Sequence, residues 1–118
     1  MIKEIVGLLE EATSLPVSPE YIKGKRDCIV YNYYTATDDG AVSSYRLEIR
    51  VISDKYETGQ LVKDTVVKTL VTVGDEPLTN TILSCNVNGG GSLRDSATEQ
   101  YQQIIYFDVI TRSVKYER

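Results

Sequence analysis

The chain has 118 residues, the length of one domain, and a domain of this size buries roughly two-thirds of the surface its unfolded chain exposes. Its 42% hydrophobic and 25% charged residues are those of an ordinary globular domain, and no apolar run approaches the ~20 residues of a membrane-spanning helix. A net charge of −4 and a pI of about 4.8 argue against a nucleic-acid binder, and the lack of histidine removes the commonest general base and metal ligand.

The opening segment IKEIVGLLEEAT sets Ile2, Ile5, Val6, Leu9 and Ala12 at the spacing of an amphipathic helix. Lys3, Glu4, Glu10 and Glu11 take the other face. Acids inside the apolar pattern are foreign to a signal peptide, so a mature cytosolic start is expected. Pro16 stops the helix, because the residue before a proline avoids helical angles. LPVSPEYIKGKRD reads as an ordered connector, and its basic run Lys23–Arg26 is too short to be more than a solvated loop.

CIVYNYYT, residues 28–35, is rich in β-branched and aromatic residues and predicts a strand. Asp39-Gly40 signals a turn. SYRLEIRVI follows as the clearest strand: Tyr45, Leu47, Ile49 and Val51 point one way, Arg46, Glu48 and Arg50 the other. In SDKYETGQLVKDTVVKTLVTVG, Ser53 and Asp54 offer a helix cap. Val62, Val66, Thr69, Leu70 and Val73 form a helical stripe, and Gly74 is placed to end it.

TILSCNVN alternates, with Thr81, Leu83, Cys85 and Val87 in one row and Ile82, Ser84 and Asn86 in the other. In the last strand, QYQQIIYFDVITR, the row Tyr101, Ile105, Phe107 and Val109 opposes Gln102, Ile104, Tyr106 and Asp108. The expected fold is therefore a single α+β domain over residues 1–118. Two helices pack on one face of a mainly antiparallel four-stranded sheet, in the order helix-strand-strand-helix-strand-strand.

Between the last two strands, NVNGGGSLRDS asks whether a phosphate binds there. It lacks the lysine and second glycine of a GxxxxGK[ST] loop and the spacing of G-x-G-x-x-G, and a strand pattern follows it where a helix would be needed. It reads instead as the flexible tip of the second hairpin, either a plain connector or a loop that orders on docking against another protein. Cys28 and Cys85 form no CxxC motif and read as buried reduced thiols. Asp38 and Asp39 read as turn formers. No nucleophile, metal-ligand set or cofactor motif emerges, so the chain is not expected to be an enzyme.

Nine tyrosines against one phenylalanine suit surfaces that become interfaces. The run Ile104–Phe107 is apolar on both faces of its strand, and two helices cover only one face of the sheet. A partner subunit over Ile104 and Tyr106, with Val30 and Tyr34 extending the patch, is the expected cover, at roughly 1.5–3 kcal/mol for each large side chain buried.

An amphipathic helix ending near LPV, the hairpin CIVYNYYT…SYRLEIRVIS, the helix opened by SDKYETGQLVKDTV and a second hairpin closing with QYQQIIYFDVITR together form a familiar layout. The chain resembles the tail-terminator and tail-completion (tail-to-head joining) proteins of long-tailed bacteriophages and prophages. The resemblance covers nearly the whole chain and implies a structural protein of the virion tail or neck, assembled in the host cytoplasm. It implies a homo-oligomeric ring, commonly a hexamer, between the tail tube protein and the head-completion or connector protein, with DNA passing through and no membrane or sequence-specific nucleic-acid contact. On this reading Val30, Tyr34, Ile104 and Tyr106 are ring contacts. Arg46, Glu48 and Arg50 supply cross-subunit ion pairs, and Arg94 faces the tube or connector. The alternative is a small ferredoxin-like module that binds a peptide or metabolite.

Overall fold

The computed structural model describes residues 1–19 and 27–112, so the basic run Lys23–Arg26 lies outside the described residues. In chain order the elements are α1 (Ile2–Thr13), β1 (Val17–Ser18), β2 (Cys28–Asp38), β3 (Val42–Ser53), α2 (Tyr56–Leu70), β4 (Ile82–Asp95) and β5 (Gln100–Arg112). They build one sheet in the order β1-β2-β3-β5-β4. This corrects the expected four-stranded sheet: the described residues form five strands, and the sheet is mixed because β1 runs parallel to β2. β1 arises inside the connector and is only two residues long, too short for any alternation. Its register, Val17 opposite Ile29, is held by the Ile29 amide donating to the Pro16 carbonyl at 2.9 Å.

Helix α1 buries Ile5 and Leu9 completely, as its spacing predicts. It ends at Ser14, which turns left-handed at φ 59° while its amide still bonds the Glu10 carbonyl. Helix α2 buries Val66 and Leu70. It departs from its reading at both ends. Lys55, with no side-chain cap, precedes the first turn, and the Ser53 hydroxyl instead accepts from the Lys55 amide. The helix stops at Leu70, so Val73 is exposed and Gly74 takes its positive φ in the turn beyond. The turn before β3 forms as read: Gly40 has φ 90°, and the Asp39 carboxylate accepts from the Val42 and Ala41 amides. Those bonds stabilise the ionised form and hold the Asp39 carboxyl below its usual range.

The core lies between the helices and one sheet face. Ile29, Leu47, Ile49, Val51, Ile105, Phe107 and Val109 meet Ile5, Leu9, Val66 and Leu70 there. Strand β4 breaks the simple alternation. A register shift between Ile82 and Ser84 brings Ile82 and Cys85, read as opposite rows, into the same core. Burial raises the Cys85 thiol to about 12, with Asp108 adding to the effect.

The strands outrun the helices. Fifteen helical residues of α2 span about 22 Å, whereas the fourteen of β4 span about 47 Å. The helices therefore cannot cover the whole sheet. Seven residues of β2, Asn32–Asp38, are exposed without a break, as are nine of β4, Asn86–Arg94.

Candidate functional site

The strand registers gather most of the sequence-nominated residues on the sheet face away from the helices. Val30, Arg50 and Ile104 share one row. Asn32, Glu48 and Tyr106 share the next, and Tyr34, Arg46 and Asp108 the one after. Arg94 departs from the group. It pairs across strands with Tyr101, whose ring lies 6.0 Å from its guanidinium carbon, in the row that continues on the core face.

The charges on the open face are paired within the chain. Arg46 Nε donates to Asp108 Oδ1 at 3.0 Å, and Asn88 donates to the other carboxylate oxygen at 2.7 Å. Arg50 holds Glu48 at 2.9 Å and also donates to Gln102 at 2.9 Å. These pairs are partly exposed, so each contributes at most about 1 kcal/mol, but they fix a flat polar band across the sheet.

The apolar part of the face is not where the sequence points. Ile104 is only 9% exposed, so it is not the open group inferred from the IIYF run. Beside it is a hollow of about 370 Å³ lined by Val30, Arg50, Ile52, Asp95, Thr98 and Gln102. Asp95 closes β4 and Thr98 lies in the turn after it, so the end of the second hairpin borders this hollow. Tyr106 is half-buried and lies over a glycine: a Cβ on Gly89 would sit 3.8 Å from its ring. The exposed apolar groups are instead Tyr34 at 59%, Leu93 at 44%, Ile110 at 39% and Val42 at 36%. Sequence reading missed the last three because each lies within three residues of a strand end, outside the central apolar runs.

The glycine run is also relocated. Gly89, Gly90 and Gly91 lie inside β4, and the hairpin tip is Ser96–Glu99. The run marks a bulge, where the register jumps from Val87–Phe107 to Gly90–Ile105. A Cβ on Gly90 would run into the Ile104 carbonyl oxygen and stand 3.3 Å from Ile105 Cα, so only glycine lets β4 approach there.

Both rims of the sheet carry unpaired backbone among the described residues. At one rim β1 covers β2 only opposite Ile29 and Val30. At the other, Thr72 bonds Cys85 through its amide and its hydroxyl, and β4 is open from Asn86 onward. Neither stretch contains lysine or proline, the residues that commonly block an edge. Among the described residues, no three His, Cys, Asp or Glu side chains converge as a metal site requires, and no helix is long and apolar enough to cross a membrane.

No family model and no curated protein matches the sequence. A solved structure does match: a chain of the virion of a native gene transfer agent particle superposes with a TM-score of 0.70 at 14% identity. The match covers 95% of this chain and 92% of that one, so the two share a fold over nearly their whole lengths.

Proposed function

We propose that the chain is a structural protein of a phage-like virion. More narrowly, it is a ring-forming tail terminator or completion protein that caps the tail tube and joins it to the head connector. The observation that carries this reading is the fold likeness to a virion chain over nearly all of both molecules. The sheet supports it: two long hairpins reach past the helices, and both rims have free backbone of the kind that joins copies. The function is surface matching, with no catalytic step. Tyr34 and the half-buried Tyr106 supply apolar contact. The Arg46–Asp108 and Glu48–Arg50 pairs keep the intervening face soluble until it docks, and Arg94 stands near the β4–β5 turn, which reaches toward a neighbouring ring.

Negative-stain electron microscopy and native mass spectrometry test this, applied to the purified chain alone and mixed with the tail tube protein of its own particle. Closed rings, six copies around, seated on tube ends are expected. Single copies in both preparations, with tubes growing unchecked, refute the reading. A second reading rests on the hollow beside Ile104, which has the size of a small-ligand site. Arg50 there already serves Glu48 and Gln102. A saturable shift of the melting temperature in a ligand screen, lost in Val30→Trp, would favour that alternative.

A further inference from the structure

We infer that the two open rims are the two halves of one joint: the β2 edge of each copy pairs antiparallel with the glycine-bearing β4 edge of the next. The inference rests on the ring reading and specifies how the ring closes.

Polarity comes first. β2 is antiparallel to β3, β3 to β5, and β5 to β4, so β2 and β4 run in opposite directions at opposite rims. Placing a second copy beside the first in the same orientation brings β4 against β2 as an antiparallel pair, and the helices of both copies stay on the same face. The two rims differ, so the joint is head-to-tail and propagates until it closes.

Shape comes second. The β2 edge carries Tyr33 and Tyr34, both exposed, whereas the middle of the β4 edge is Gly89-Gly90-Gly91, which has no side chains. Inside the chain the same match already occurs, with the Tyr106 ring lying over Gly89. Tyrosine on one rim thus faces a glycine bed on the other.

Register comes third. Gly90, at the centre of the open β4 stretch, lies in the row of Ile105, Ile49 and Tyr31. The centre of the open β2 stretch is Thr35, four residues further along. Full pairing therefore slides each copy by about 14 Å along the strands relative to its neighbour, and such a stagger is what a sheet needs to close on itself.

Area sets the assembly size. Seven paired residues make a seam about 24 Å long and about 10 Å thick, burying roughly 500 Å² over both partners. That is under half of the about 1,200 Å² at the low end for a stable pair. A lone dimer is too weak, and a closed ring holds every copy at both rims.

Cross-linking tests the joint. Thr35→Cys and Ser92→Cys are exposed positions on the same sheet face, while native Cys28 and Cys85 are fully buried and out of reach. The two variants, mixed at high concentration with a short bis-maleimide, are expected to give at least tenfold more mixed dimer than either homodimer. The double variant is expected to give a ladder of multimers. Homodimers equal to mixed dimers, or no yield above an exposed Glu10→Cys control, overturn the joint. Amide exchange of the unaltered chain is the second measurement: residues 32–38 and 86–94 must both slow as concentration rises, and slowing at one rim only also overturns it. Rings seen by microscopy without the 35–92 link leave the ring reading standing and remove only this joint. Absence of both removes both.

Discussion

Replacing Gly90 by alanine inserts one methyl group between β4 and β5. That methyl meets the Ile104 carbonyl oxygen and lies 3.3 Å from Ile105 Cα, both of them backbone that cannot rotate away. The bulge must shift, and overpacking of this kind costs about 1–3 kcal/mol. For a chain of this length the melting temperature should fall by ~4 °C per kcal/mol. Gly91 supplies the internal control: it is the next residue, its φ is not positive, and nothing lies within 4 Å of its would-be Cβ. Gly91→Ala should gain about 0.4–1 kcal/mol, because alanine narrows the unfolded ensemble at no native cost. Urea unfolding of the two variants should therefore move the midpoint in opposite directions with an unchanged slope. If Gly90→Ala proves as stable as Gly91→Ala, the bulge does not hold the two strands as close as described.

Four further outcomes follow from the same structure. Phe107→Ala removes a fully buried ring from the centre of the core and should cost about 3–5 kcal/mol in chemical denaturation. Gln103 is fully buried with its Nε2 lacking a hydrogen-bond partner while its Oε1 accepts a long bond of 3.4 Å from Gln60, so Gln103→Met, which gives up that bond together with the unpaired donor, should raise stability by at most about 1 kcal/mol in the same assay. Hydrogen bonds from Thr79 and Thr81 hold the Glu4 carboxyl below its ordinary value of 4.5, so its stabilising effect is complete above that value and is lost as pH falls through the lower, folded-state value. Thr81→Val should flatten this acid-side decline in a pH series of melting temperatures. Cys85, pushed up to about 12, and Cys28, fully buried, should resist a thiol reagent at pH 8 and react only at the rate of unfolding.

Local chemistry made several elements legible. Tyr45, Leu47, Ile49 and Val51 were readable as a core row because β3 alternates apolar and charged residues from Tyr45 to Val51. The spacing of Ile5 and Leu9 fixed the buried side of α1. Asp39-Gly40 wrote its own turn, since the carboxylate and the positive φ act within four residues. The face shared by Val30, Tyr34, Arg46, Glu48, Arg50, Ile104 and Tyr106 followed from the same period of two once β2, β3 and β5 paired.

Long-range contact decided the rest. β1 exists only because residues 17 and 18 lie against Ile29 and Val30, and two residues carry no period. The shifts in β4 move Ile82 and Cys85 to one face and put the glycine run in mid-strand, and a bulge is a property of two paired strands rather than of either sequence. The hollow beside Ile104 joins Val30 of β2 and Arg50 of β3 to Thr98 of a distant turn, and the exposure of the rims depends on helices too short for their sheet. Side-chain period and turn chemistry act over a few neighbours and were written in the sequence. Which surfaces stay open is settled only when elements distant along the chain have taken their places.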